Sequence, residues 1–482
     1  MPDPPSLAAA GAGTVDAPDR GGDVGGMGTV SGMGDTGAIG DVAGVGGIAG
    51  IGGIGGIAGI GGLACTGDAH GIGGIDGIRG IAGGTAAFRR TNLALFAAGF
   101  ATFALLYCVQ PLMPVFSHEF RVSAAQSSLS LSLTTGLLAG ALLVTGALSE
   151  AWGRKPVMVA SLVASAALTV VSAWMPSWYG LLAVRALEGL TLSGLPAVAM
   201  AYLAEEMDRA ALGLAMGLFI GGSGLGGMAG RLLTGLLADL ASWRLAIAAI
   251  GVIGLGAGFI VSRELPESVR FRPRPRAAGG LVAPLLDPFR DAGLPWLFLE
   301  AFLFMGSFVT IYNYIGYRLL AAPYNLSQSA VGAIFVVYLV GIGSSSWVGV
   351  LAGRLGRRRV LWATILVMTA GVVLTLAAGL PAIILGLAVM TFGFFGGHSV
   401  ASSWVGLRAR GSAAQATSLY LFFYYLGSSV VGSCGGFFWS SHGWRGVVAF
   451  ITVLLLVALL IALRLVRLQP LPPAAAPPPL AA

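Results

Sequence analysis

From Asn92 to near the C-terminus the sequence reads as long apolar runs separated by short polar interruptions. A helix needs about 20 consecutive apolar residues to cross the hydrocarbon core of a bilayer, and about twelve runs reach that length. The pattern predicts six spans at Asn92–Pro114, Ser127–Ser149, Pro156–Met175, Trp178–Leu203, Ala211–Leu237 and Trp243–Ser262. After a longer loop it predicts six more, at Leu294–Tyr317, Ser329–Leu351, Val360–Ala378, Ala382–Val405, Gln415–Phe438 and Trp444–Leu465. The expectation is an all-α integral membrane protein of two six-helix bundles.

Composition agrees with lipid as the solvent. Only 10% of the 482 residues are charged and 56% are hydrophobic, whereas soluble domains carry about 25% charged residues. Trp174, Trp178, Tyr179, Trp439 and Trp444 fall at predicted span ends, where amphipathic rings prefer the interface. If Asn92 starts on the cytoplasmic side, about nineteen of the 27 basic residues lie in or beside inside-facing segments. Both termini are then expected in the cytoplasm. The net charge of +7 reads as topology and not as nucleic-acid binding, which needs cations gathered on a soluble face.

The flanking segments differ in character. Residues 1–90, with "GGIAGIGGIGGIAGIGG", carry so much glycine that no compact core is expected. They read as a disordered extension, or as a stretch upstream of a later translation start, and lack the pattern of a signal peptide. The expected units are then 91–262, an Arg/Pro-rich linker at 263–293, 294–467, and a Pro/Ala tail at 468–482. Cys65, Cys108 and Cys434 form no disulfide framework, and no metal site is expected.

An internal repeat organises the rest. "GALSEAWGRKPVM", Gly146 to Met158, holds the chain's single lysine, Lys155, and is echoed about 200 residues later by "GVLAGRLGRRRVL", Gly349 to Leu361. Both join the second and third spans of a six-span half. Ser242-Trp243-Arg244 and Gly443-Trp444-Arg445 repeat in the same way before each sixth span.

Gly146, Leu148, Glu150, Gly153, Arg154 and Lys155 resemble the G-x-L-x-D-R-x-G-R-K loop of the major facilitator superfamily, and Gly349, Arg354, Gly356 and Arg357 resemble its second copy. The departures are Glu150 for Asp, Ala151 for Arg, and Gly353 for Asp. "VRALEGLTLSG" is similar to the family's fourth-span R-x-x-Q-G, with Glu188 in place of Gln. "GGSGLGG" resembles its fifth-span antiporter motif, with Ser223 for Pro, and "PESVR" its post-helix signature. The resemblance covers Asn92 to Arg467. It implies a secondary transporter that alternates access to a midplane site, powered by the proton gradient without ATP or a bound cofactor. A small-molecule substrate, a bilayer and a single functional copy are the expected partners.

The loop itself has two readings. Arg154 and Lys155 can simply anchor a cytoplasmic loop. Alternatively Gly146 and Gly153 allow a tight turn and close helix approach, so that Glu150 sits between cations and a helix N-terminus as a conformational latch. Gly222, Gly226 and Gly227 in the fifth span are expected to pack helices. "GSGLGG" fits a dinucleotide pattern formally, but it lies inside an apolar helix and not after a strand.

Charges inside spans are costly and commonly line a cavity or relay. Arg185 and Glu188 lie at i and i+3 on one helix face. They are either a mutually neutralising structural pair or a proton or substrate site. Glu300 in the seventh span has no cation in its own helix and is the better candidate for a titrating carboxyl. By the resemblance, the first, fourth, seventh and tenth spans surround the cavity. Their candidates are Tyr107, Gln110, Ser193, Phe304, Tyr312, Asn313, Tyr314 and Phe394, with His398 as a relay or a structural histidine.

A P-loop motor is excluded because the lone lysine lies in "GRKP". No H-E-x-x-H or G-x-S-x-G occurs, so no enzyme is expected. Proton-coupled export is the first expectation. Proton-coupled uptake of a small metabolite and a non-transporting membrane sensor are the alternatives.

Overall fold

The computed structural model describes residues 80–271, 285–409 and 412–468. Ten helices among them are long and apolar enough to cross a membrane. The first half contributes Ala86–Glu119, Ala124–Trp152, Arg154–Ala173, Trp178–Glu206, Arg209–Leu240 and Trp243–Glu264. The second contributes Leu294–Leu320, Gln328–Leu355, Arg357–Leu374, Leu380–Arg408 and Ala413–Val466. Arg357–Leu374 falls outside the ten because three arginines open it. Ala413–Val466 is two crossings, broken where Gly443 adopts φ 58°, ψ −147°. The total is the expected twelve.

Local chemistry sets the ends of the spans. Ser123, Ser177, Ser242 and Ser327 each cap a helix by accepting a backbone N–H, and Ser123 completes a capping box with Gln126. Such caps satisfy donors that have no intrahelical partner. They lie at the far end of the bundle, where the second, fourth, sixth and eighth spans begin. The opposite, basic end carries the duplicated turns. There Gly153 has φ 90° and Gly356 φ 89°, a left-handed conformation that glycine adopts without strain.

Two spans bend where the sequence removes backbone donors. A 3₁₀ turn at Gln110–Leu112 separates two helical stretches of the first span, next to Pro111 and Pro114. The fourth breaks after Leu192 and resumes at Pro196. The first span also starts earlier than the apolar pattern suggests, at Ala86 instead of Asn92. Ile81 is already docked, donating to the Glu206 carbonyl at 2.8 Å and accepting from Asp208 at 3.2 Å. The boundary placed at residue 90 therefore moves toward the N-terminus, because Thr85 caps the helix. The glycine-rich stretch 1–79 and most of the C-terminal tail lie outside the described residues.

Glycine spacing brings helices into backbone contact. A Cβ on Gly222 or Gly226 would fall onto the Phe96 or Phe100 carbonyl of the first span, and one on Gly230 would crowd Ala104. The four-residue spacing is the small-residue pattern that lets helices approach in lipid. Gly427 meets the Phe302 carbonyl in the same manner, joining the eleventh span to the seventh. Gly227 approaches the first span less closely, since a Cβ there would lie 3.8 Å from Phe103 Cβ. It faces Arg231, to which its carbonyl is hydrogen-bonded at 2.5 Å.

The halves are joined at or beyond the midpoint, toward the far end. Gln110 donates to Asn313 at 2.7 Å, Ser117 and Tyr317 share a hydrogen bond at 2.6 Å, and Ser429 donates to the Ser132 carbonyl at 2.7 Å. Asp239 accepts the first backbone N–H groups of the eighth span, from Gln328 at 3.1 Å and Ser329 at 2.7 Å. An anion at a helix N-terminus is favoured by the helix dipole as well as by these bonds.

Candidate functional site

One buried charge pair of the first half, Arg185 with Glu188, is closed on itself. Arg185 is fully buried and spends its donors on Ser130 O at 3.0 Å, Leu105 O at 3.3 Å, Leu106 O at 2.8 Å and Glu188 Oε2 at 2.6 Å. One side chain thus ties the fourth span to the first and second. Thr134 returns a bond to the Arg185 carbonyl at 2.9 Å. This geometry favours the structural pair over a free site, although Oε1 of Glu188 keeps no partner. Ser193 lies apart from the other cavity candidates and shares a hydrogen bond with Thr145 at 2.9 Å, fastening the fourth span to the second.

Glu300 is the opposite case. It is fully buried in the seventh span, neither carboxyl oxygen has a hydrogen-bond partner, and no described cation pairs with it. Tyr420, from the eleventh span, is buried as well. Its hydroxyl is hydrogen-bonded to His398 Nδ1 of the tenth span at 2.7 Å. His398 stacks on Phe394 and lies against Tyr424, with ring centroids 5.8 and 4.6 Å away. Phe304, one turn on from Glu300, packs beside Gly397 of the tenth span. The structure thus groups Phe304, Phe394 and His398, adds Tyr420, and sets Glu300 one turn from Phe304.

A second cluster spans the boundary between the halves. Arg231 of the fifth span is buried and donates to Gln110 Oε1 at 2.6 Å, and Gln110 continues to Asn313. The guanidinium lies 4.1 Å from the Tyr107 ring centre, 4.8 Å from Tyr338 and 4.9 Å from Phe335. No described carboxylate pairs with it, so rings and amide oxygens alone balance the cation. Tyr312 adjoins the cluster, 5.1 Å from Phe335, and its hydroxyl bonds Thr391 at 2.7 Å. Tyr107, Gln110, Tyr312 and Asn313 therefore do come together. Tyr314 is committed elsewhere, donating to the Gly432 carbonyl at 2.9 Å.

The duplicated loop needs a correction. Glu150 forms no ion pair among the described residues. Arg154 instead makes a two-pronged pair with Glu205 at 2.6 and 3.1 Å, and Lys155 reaches Glu267 of "PESVR" at 2.9 Å. Glu205 and Glu267 supply the anions because the fourth span ends, and the sixth-span exit passes, directly over the turn. Tyr202 and Glu206 clamp that exit through Pro266 O at 3.0 Å and Arg270 N at 2.8 Å. These contacts brace one half internally. Gly153 makes the tight turn, but Gly146 does not provide the close approach expected of it, since a Cβ there would meet nothing within 4 Å. Gly349 is almost as open, with Ser399 Oγ 3.6 Å from such a Cβ.

The family model for the Major Facilitator Superfamily matches residues 95–319 and 297–482. The chain belongs to the Major Facilitator Superfamily. Among superfamily relatives, the uncharacterized MFS-type transporter YybF of Bacillus subtilis (strain 168) is 50% identical over 389 residues, 81% of this chain and 96% of YybF. The inner membrane transport protein YnfM of Escherichia coli (strain K12) is 50% identical over 384 residues, 80% of this chain and 92% of YnfM. Among solved structures, the bacterial homolog of the human lysosomal transporter Spinster has the same fold, with a TM-score of 0.64 at 15% identity over 79% of this chain and 97% of that one. The protein is an MFS-type multi-pass membrane transporter.

Within this superfamily member, sequence reading missed Arg231, Tyr420, Glu205 and Glu267. Arg231 was within reach of the criterion that found Glu300, since it is a charge inside an apolar run. Tyr420 was not, because a tyrosine in a span with Tyr424 and Tyr425 has no distinguishing pattern.

Proposed function

We propose that this transporter couples substrate movement to protons and exports a small molecule, with Glu300 as the group that changes charge. The observation that carries the reading is the absence of any hydrogen-bond partner for either oxygen of this buried carboxyl. An ionised carboxylate without a partner is costly in such a place. Its charge is therefore free to follow whatever reaches it, a proton in one half-cycle and a polar or cationic substrate group in the other. Tyr420 and His398, hydrogen-bonded to each other on neighbouring spans, supply the onward path for the proton. Arg231, Gln110 and Asn313 seal the far end and line the substrate's route between the halves.

The positive-inside pattern sets the basic end in the cytoplasm of a bacterial inner membrane, with both chain ends there. The far-end seal then separates the site from the outside. Export is favoured by the fifth-span motif around Ser223 and by more distant relatives bearing drug-resistance or efflux names, which match about half of the chain. Moving one charge through the membrane potential supplies about 2.3 kcal/mol per 100 mV, so a single proton per substrate supports uphill transport. A monomer suffices, with no ATP and no bound cofactor.

The test is a substrate screen on everted vesicles with an imposed proton gradient, followed by Glu300→Gln. The variant should lose proton-driven accumulation while keeping substrate exchange. Proton-driven accumulation at the unaltered rate would remove Glu300 as carrier. Accumulation only in right-side-out vesicles would replace export by uptake.

A further inference from the structure

The two copies of the duplicated turn differ in the source of their countercharge. In the first, carboxylates from the chain, Glu205 and Glu267, meet Arg154 and Lys155. In the second, the step that takes Gly153 to Gly356 takes Glu150 to Gly353 and Glu205 to Arg408. One acid becomes a glycine and the other becomes a cation. Where the first copy holds its carboxylates, the second has an open cavity of about 660 Å³ lined by Arg354, Arg357, Arg358, Arg359 and Arg408.

Most of that charge meets no acid among the described residues. Arg408 bonds Asp291, Arg357 donates to the Ser403 hydroxyl at 3.1 Å, and Arg358 to the Val466 carbonyl at 3.3 Å. No described carboxylate pairs with Arg354, Arg357, Arg358 or Arg359. Such clustering is unfavourable unless an anion joins it, and arginine forks match phosphate oxygens geometrically. The rim points to the source of the anion. Leu355 and Leu407, 54% and 47% exposed, flank the arginines on helices that run into the bilayer.

We propose that this cavity binds the phosphate of an anionic phospholipid headgroup, which replaces for the second half the carboxylates that the first half supplies from its own chain. A basic recess between spans is a known form of headgroup site, and here the exposed leucines would lie along the acyl chains. The turn at Gly356 and the end of the tenth span would be braced by lipid.

The test uses the full chain in detergent, with thermal unfolding followed as phosphatidylglycerol, phosphatidylcholine or inorganic phosphate is titrated in. Phosphatidylglycerol should raise the midpoint saturably, and the other two should not reproduce the rise. Combining Arg354→Gln with Arg359→Gln should raise the phosphatidylglycerol needed for half the effect about fivefold for each arginine removed. Lys155→Gln, in the other copy, should leave the titration unchanged. If the double variant does not fold, the exposed Arg359→Gln alone should give the fivefold change. An equal response to both lipids, or unaltered titration in the arginine variants, would overturn the site and leave the arginines as orientation signals. A full response to inorganic phosphate alone would overturn the lipid as the source of the anion.

Discussion

The two halves of this transporter follow the same backbone instructions and treat charge differently. Both turn at a glycine with φ near 90°, Gly153 and Gly356, and both use glycine to bring two spans into backbone contact, at Gly226 against Phe100 and at Gly427 against Phe302. In the first half, however, Arg185 has Glu188 and Arg154 has Glu205. In the second, Glu300 is buried without a partner and, of the arginines around Gly356, only Arg408 meets a described carboxylate. A buried charge that is fully satisfied holds helices in place. One that is left unsatisfied is available to a proton, a substrate or a lipid. Arg231 stands between these cases, buried in the first half but held by rings from both.

The comparison is broken most forcefully at Glu188. Glu188→Gln leaves Arg185 buried without its anion, and loss of one partner of a buried pair costs about 3–5 kcal/mol. The variant should show a sharply lower thermal midpoint and yield, before transport is considered. Glu300→Gln removes no partner, so its midpoint should match the wild type or exceed it. Equal loss in both variants would erase the distinction between the halves.

A smaller effect is expected at the basic end. Glu205→Gln removes a charge-assisted, two-pronged bond that is partly screened, so about 1.5 kcal/mol is lost. Chemical unfolding in mixed micelles would measure it. Glu150→Gln, four residues before Arg154 in sequence, should change stability by less than about 0.5 kcal/mol, as for a side chain outside any network. If Glu150→Gln proved the more damaging, the countercharge would have to be reassigned to it.

Much of this arrangement is legible in the sequence. Span length, cation placement and the duplicated loop are local properties, and they yield twelve crossings and the two turns. What escapes is partner choice across the fold. Glu150 is near Arg154 in sequence, yet the helix carries it away from the guanidinium, and Glu205 arrives from 51 residues later. The start of the first span escapes because Thr85 caps the helix through one side-chain bond, upstream of the apolar run. Glu300 and His398 are legible as polar positions in apolar spans. That His398 meets Tyr420 depends on how the tenth and eleventh spans pack, which no run of residues encodes.

The central claim, that the titrating carboxyl of the membrane interior is Glu300 and not Glu188, is open to direct observation. Infrared difference spectroscopy of the purified protein, taken across a pH titration, reports buried carboxyls through the acid carbonyl band that disappears as each loses its proton. A buried-acid band that titrates in the wild type and in a folded Glu188 variant, and is missing in Glu300→Gln, is the result expected. A band that persists in Glu300→Gln and vanishes with Glu188 would contradict the account.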